Sequence, residues 1–129
     1  MPRYVPDKPM SQALLIVDHG SRREEANQML EEVARTVRRL CPNVMVHIAH
    51  MELAEPSIRQ GIETCVQDGA TDIVVHPYML SPGRHATQDI PQMVQEIATR
   101  FPDIRFRVTD PLGLHDKIGE VILERAGLV

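Results

Sequence analysis

Four short apolar runs alternate with four amphipathic stretches, and this alternation constrains the fold more than any other feature of the chain. The runs are ALLIVD (13–18), VMVHIAHM (44–51), DIVVHPYML (72–80) and IRFRVTD (104–110). The first and third are nearly continuous in apolar residues and rich in Val and Ile, as central strands covered on both faces are. The fourth alternates Ile104, Phe106 and Val108 with Arg105, Arg107 and Thr109. One of its faces is therefore wet, which places it at an edge.

The intervening stretches read as helices. Ala26, Met29, Leu30, Val33, Ala34, Val37 and Leu40 recur at three- and four-residue spacing and predict one apolar stripe. Ser21 and Glu24 have the spacing of a capping box at its start. A second helix is expected from about Pro56 to Gln67, with Ile58, Ile62 and Val66 four apart. A third covers DIPQMVQEIATR, where Asp89 and Gln92 frame an N-terminal box and Pro91 is tolerated in the first turn. The fourth runs from about Asp116 to Ala126. Strand–helix alternation with short connections implies right-handed crossovers and a parallel sheet. The expected fold is a single small α/β domain over 13–129, a four-stranded parallel sheet flanked by helices in the flavodoxin-like manner. Residues 1–12 read as a flexible tail. So small a sheet leaves faces and edges uncovered, so a homodimer is expected.

With 129 residues the chain suffices for one domain with a real core. It has no Trp, two Tyr and two Phe, which argues against a base-stacking surface. The net charge of −4 points to neither a polyanion groove nor an anionic membrane. No nucleic-acid or membrane partner is therefore expected. Cys41 and Cys65 are too far apart for a metal knuckle and read as reduced thiols of a cytoplasmic protein. MPRYVPDKPMSQ has no apolar core of a signal peptide, and no run reaches the length of a membrane span.

In open parallel sheets, ligands bind beyond the carboxyl ends of the strands. There the chain places His19, Gly20, Ser21, Arg22 and Arg23 after the first strand, and Glu52 and Glu55 after the second. Ser81, Gly83, Arg84 and His85 come after the third, and Gly113 and His115 after the fourth. His19, Glu52 and His85 together form a donor set suited to Fe²⁺, Co²⁺, Ni²⁺ or Zn²⁺. Each also has a plainer reading: a loop histidine bonded to a carbonyl, or a solvated glutamate. His47, His50 and His76 lie inside strand patterns and read as satisfied sheet histidines. His115 either joins the site or begins the last helix. Arg22, Arg23 and Arg84, with Ser21 and Ser81, suit ligand carboxylates. Positive charge at a helix N-terminus is unfavourable unless an anion sits there, which favours a bound anion near Arg22 and Arg23. There is no GxxxxGK[ST], no GxGxxG after the first strand and no GxSxG elbow.

LLIVDHGSR, AHMELAEPSI, LSPGRHATQDIP and the later PLG, in that order, resemble the short class II tetrapyrrole chelatases of the CbiX/SirB type. The resemblance covers nearly the whole chain from Ala13, and the first two segments are most similar to the sirohydrochlorin ferrochelatases. It implies a small α/β domain, half of a longer chelatase, pairing as a homodimer. It implies insertion of a divalent metal, Fe²⁺ preferred, into sirohydrochlorin for siroheme synthesis, with a cobaltochelatase of cobalamin synthesis or a non-catalytic carrier as alternatives. The family's site histidines correspond to His19 and His85, and the metal-binding glutamate of its longer relatives to Glu52. In this reading the histidines hold the ion and accept pyrrole protons, Gly20 leaves room for the macrocycle, and the arginines meet its carboxylates. The metal is substrate, and no tightly bound cofactor is expected. Plant-type members carry a cysteine-rich C-terminal extension for an iron–sulfur cluster; Val129 ends this sequence without one, and no cluster is expected.

Overall fold

β-branched side chains favour extended backbone, and all four Val- and Ile-containing runs form strands. The computed structural model describes residues 11–81 and 83–129, the side chains of His85 and Ala86 excepted. The elements are β1 (Gln12–Asp18), α1 (Glu24–Leu40), β2 (Met45–His50), α2 (Ile58–Gln67), β3 (Asp72–Pro77), a π-helical turn (His85–Asp89), α3 (Ile90–Ala98), β4 (Arg105–Val108) and α4 (Asp116–Arg125). The four strands form one parallel sheet in the order β2-β1-β3-β4. β1 and β3 are central and β4 lies at an edge, as their patterns predict. The expected tail falls outside the described residues up to residue 10. Ser11 already belongs to the domain, its carbonyl accepting from the Thr71 N–H at 2.9 Å.

The sheet divides the core in two. On the α2–α3 side Leu15, Val17, Ile73 and Val75 pack with Ile58, Ile62, Cys65, Ile90 and Val94, all buried. Full burial of each Ile or Leu contributes about 1.5–3 kcal/mol. α2 approaches β1 closely through Gly61, where a Cβ would lie 2.8 Å from Leu15 Cδ1. On the other side α1 supplies Leu30 and Ala34 against Ile16 and Val46. Its apolar stripe is narrower than its periodicity predicts, since Ala26, Met29 and Leu40 are exposed.

Two expected capping boxes are absent and an unforeseen one forms. α1 begins at Glu24 with Arg23 at the N-cap, and no side chain caps it. Ser21 Oγ instead accepts from the Arg23 N–H at 3.0 Å, because Arg22 and the extended Arg23 separate Ser21 from the helix. α3 begins at Ile90 after the π-helical turn, and Asp89, itself helical at φ −69° and ψ −46°, makes no side-chain cap. A helical N-cap points its carboxylate away from the following N–H groups. At α2, Ser57 accepts from the Gln60 N–H and Gln60 accepts from the Ser57 N–H, completing a box. Among the described residues α4 makes no extensive contact with any other element, and Ile118 alone of its own residues is half-buried.

Candidate functional site at the sheet switch point

The chain leaves β1 toward β2 on one side and later returns past β1 to β3 on the other. The strand order thus reverses between β1 and β3, and a crevice opens there beyond their carboxyl ends. A cleft of about 460 Å³ occupies this position. Asp18, His19, Gly20 and Ser21 line it from β1 and its loop, Ala26 and Asn27 from α1, and Tyr78 to Ser81 with Gly83 from the β3 loop.

The β1 loop is shaped by backbone contacts. The ladder with β2 continues past the strands: the Met51 N–H donates to the Asp18 carbonyl at 2.8 Å and the Glu52 N–H to the His19 carbonyl at 3.0 Å. Gly20 then turns at φ +91°, and a Cβ there would lie 1.7 Å from the Glu52 carbonyl oxygen. The glycine is thus required by the Glu52 backbone, a different reason from room for a ligand, although Gly20 also lines the cleft. Asn27 holds the next residue: its Oδ1 accepts from the Ser21 N–H at 3.0 Å and its Nδ2 donates to the Ser21 carbonyl at 2.8 Å. Both atoms of a buried amide are committed to one loop residue, so the loop is clasped to α1.

Beneath the loop, Asp18 and His50 are register partners at the last rung of β1–β2. His50 is 2 % exposed, and its Nδ1 lies 2.6 Å from Asp18 Oδ1. A polar pair is tolerated at this depth because each member satisfies the other.

Of the site residues expected from sequence, His19, Gly20, Ser21, Ser81 and Gly83 come together around the cleft. Glu52 is joined to His19 through its backbone, but its side chain is exposed and borders a separate hollow with Met51, Asp89, Gln92, Met93 and Glu96 on the α3 side. His85 begins the π-helical turn, two residues beyond Gly83; its side chain lies outside the described residues. Arg22, Arg23 and Arg84 are exposed beside the cleft-lining segments. Glu24 and Glu25 occupy the first turn of α1, so the helix terminus already has negative charge and the sequence argument for an anion there loses its force. His115 takes the second of its two readings: it is the N-cap of α4, and its Nδ1 accepts from the Lys117 N–H at 3.1 Å. Among the described residues no three His, Cys, Asp or Glu side chains are grouped to hold a metal ion.

Sequence reasoning missed Asp18, Ala26, Asn27, Tyr78, Met79 and Leu80 as cleft residues. Two of these carried a signal. Asp18 is the one charge in an otherwise apolar run, and Asn27 sits three and seven residues before the buried Leu30 and Ala34, a polar residue on the inward stripe. His47 and His76 are satisfied at the sheet, as expected: His47 Nε2 lies 2.7 Å from Asp68 Oδ2 and His76 Nδ1 lies 2.8 Å from Thr109 Oγ1. Burial pushes the His76 imidazole below its usual range.

Fold and cleft together define an open parallel α/β protein with a cleft at the sheet switch point, the place where folds of this class bind ligands. By sequence the chain belongs to the CbiX family, which it matches over residues 13–127. It is 46% identical over 112 residues to the chloroplastic sirohydrochlorin ferrochelatase of Arabidopsis thaliana, covering 87% of this chain and 50% of that protein. The crystal structure of the sirohydrochlorin chelatase SirB from Bacillus subtilis subspecies spizizenii, in complex with cobalt, superposes with a TM-score of 0.84. It is 35% identical, and the match covers 92% of this chain and 50% of that one. A CbiX protein from Marinobacter aquaeolei VT8 superposes with a TM-score of 0.76 at 26% identity, covering 90% of this chain and 94% of that one. The chain thus spans about half the length of the plant relative and of SirB.

Proposed function

We propose that this protein is a sirohydrochlorin chelatase that inserts a divalent metal, Fe²⁺ in preference to others, into sirohydrochlorin for siroheme synthesis. The observation that carries the reading is the presentation of His19 at the rim of the switch-point cleft, on a loop held by Gly20 and Asn27. Its membership of the CbiX family and its likeness to the plant ferrochelatase support the same conclusion.

Insertion exchanges two pyrrole N–H protons for one M²⁺ ion, so the site must loosen the ion's water and accept protons. A neutral imidazole does either near pH 7, with an ordinary pKa of about 6.5. In this reading His19 and His85 receive the ion and the protons, and Glu52, whose N–H donates to the His19 carbonyl, completes the set once its side chain turns from the α3 hollow toward the cleft. Ser21, Ser81, Gly83 and the neighbouring Arg22, Arg23 and Arg84 receive the carboxylate-bearing rim of the macrocycle. The metal is substrate, and the enzyme acts as a homodimer in a reducing compartment such as the cytoplasm. Its exposed Cys41 and buried Cys65, both free thiols, agree with that setting. Among the described residues no helix is long and apolar enough to cross a membrane. A second reading, a cobaltochelatase of cobalamin synthesis, is favoured by the cobalt bound in the SirB relative.

The test is an anaerobic visible-spectrum assay of sirohydrochlorin with sub-stoichiometric protein and Fe²⁺, Co²⁺ or Ni²⁺ in turn. Multiple turnovers are expected with wild type, with a fall of about a hundredfold or more in His19→Ala and His85→Ala, the range for a lost acid–base group. The fastest metal ranks the two readings. A single stoichiometric spectral change, or variants equal to wild type, would identify a carrier or a different site.

A further inference from the structure

A polar pair lies where the core meets the cleft. On the α1 side of the sheet, β1 and β2 present Leu14, Ile16, Val46 and Ile48, all apolar. Strand alternation makes Asp18 and His50 the next positions on that face. His50 is 2 % exposed, and Asp18 lines the cleft with 22 % of its side chain exposed. Well-packed apolar residues of similar volume are often as stabilising as such a pair at this depth, or more so. Stability of the fold therefore gives no reason for a carboxylate and an imidazole at this rung.

The surroundings of the pair supply one. On the β3 side, hydrogen bonding to β1 reaches the Tyr78 N–H, which donates to the Val17 carbonyl at 2.7 Å. Beyond that point the β1 loop is held from β2, by the Met51 and Glu52 N–H bonds to the Asp18 and His19 carbonyls. His50 stands immediately before those two donors. Its own N–H donates to the Pro56 carbonyl at 2.8 Å, which folds the 51–56 segment back on the strand end. Its Cβ lies 3.2 Å from the place that a Cβ on Gly20 would take. His50 thus sits between the segment carrying His19 and the segment carrying Glu52, and its Nδ1 fastens it to Asp18 at 2.6 Å.

We propose that His50 is a positioning residue of the ion site: its ring, hydrogen-bonded to Asp18, sets the backbone on which His19 is presented. The role rests on the chelatase reading above and deepens it, since it concerns how that site meets a divalent ion. Nδ1–H donates and the carboxylate accepts, so neither group needs to gain or lose a proton. Holding the Asp18 side chain fixes the peptide that leads into His19. Holding the ring fixes the strand end that leads to Glu52. Loss of a partner one step removed from a metal ligand typically costs about tenfold to a hundredfold in affinity.

Two variants of the full chain separate positioning from packing. His50→Phe keeps an aromatic side chain and removes the donor, whereas His50→Asn keeps a donor, its Nδ2, near the place of Nδ1. Co²⁺ is titrated anaerobically into the protein alone and followed by its visible absorption. The signal that His19→Ala abolishes defines the site. His50→Phe is expected to bind about tenfold more weakly or worse at full amplitude, with His50→Asn close to wild type. Lost amplitude at an unchanged dissociation constant would mean that the variant only unfolds part of the sample, and would overturn the role. So would His50→Phe binding like wild type, or His50→Asn binding as weakly as His50→Phe. Each of these outcomes leaves the chelatase reading standing. A wild-type protein that binds no Co²⁺ through His19 would overturn the ion site of that reading and this role together.

Discussion

Gly20 is a position where one methyl group decides the geometry of the cleft. Its left-handed backbone costs a non-glycine residue about 1–2 kcal/mol, and the Glu52 carbonyl fills the place of a Cβ. Gly20→Ala is expected to destabilise the fold by about 3 kcal/mol, strain and overpacking together, and to separate His19 from Glu52. Chemical denaturation measures the first effect, and a wild-type midpoint would show that the loop yields freely. His76 gives a pH dependence. Burial depresses its pKa, so its contribution is present above the ordinary value of about 6.5 and is lost as pH falls through the lowered folded value. Wild type should lose more thermal stability than His76→Gln between about pH 7.5 and pH 5; parallel curves would assign the acid sensitivity elsewhere. Gly20 was legible as a special residue but its reason was not, because the Glu52 carbonyl lies in a distant part of the sequence.

Helices show how far local pattern reaches. α2 starts one residue beyond Ser57 because the Ser57–Gln60 box satisfies its first N–H groups, and Gln60 Nε2 also donates to Glu55 Oε2 at 3.0 Å. Ser57→Ala should cost about 1 kcal/mol of stability, read as a shifted denaturation midpoint with an unchanged slope; an unmoved midpoint would mean that water replaces the cap. The spacing of Ser21 with Glu24 and of Asp89 with Gln92 suggested the same device, and neither forms. In the first case Asn27 holds the Ser21 backbone outside the helix, and in the second a π-helical turn runs into α3 without a break. A box is a matter of backbone dihedrals at the cap, and residue spacing alone does not fix those dihedrals.

For the molecule as a whole, α4 makes no extensive contact with another element among the described residues, and the proposed pairing of two copies bears on stability. If folding is coupled to pairing, the midpoint of thermal unfolding should rise by roughly 5 °C over about a hundredfold increase in protein concentration. A midpoint independent of concentration would mean that each copy is stable alone. The order of residues was enough for the parallel α/β class, the central places of β1 and β3, the edge place of β4, and a cleft beyond the strand ends containing His19 and Ser81. These arise from period and apolar continuity, which act between near neighbours in the chain. Three-dimensional packing was needed to show that Asn27 clasps Ser21, that Asp18 meets His50, that the Glu52 side chain borders the α3 hollow and that α4 makes no extensive contact with another element among the described residues. Those outcomes depend on which strands become neighbours and on the space left between them, and sequence periodicity carries neither.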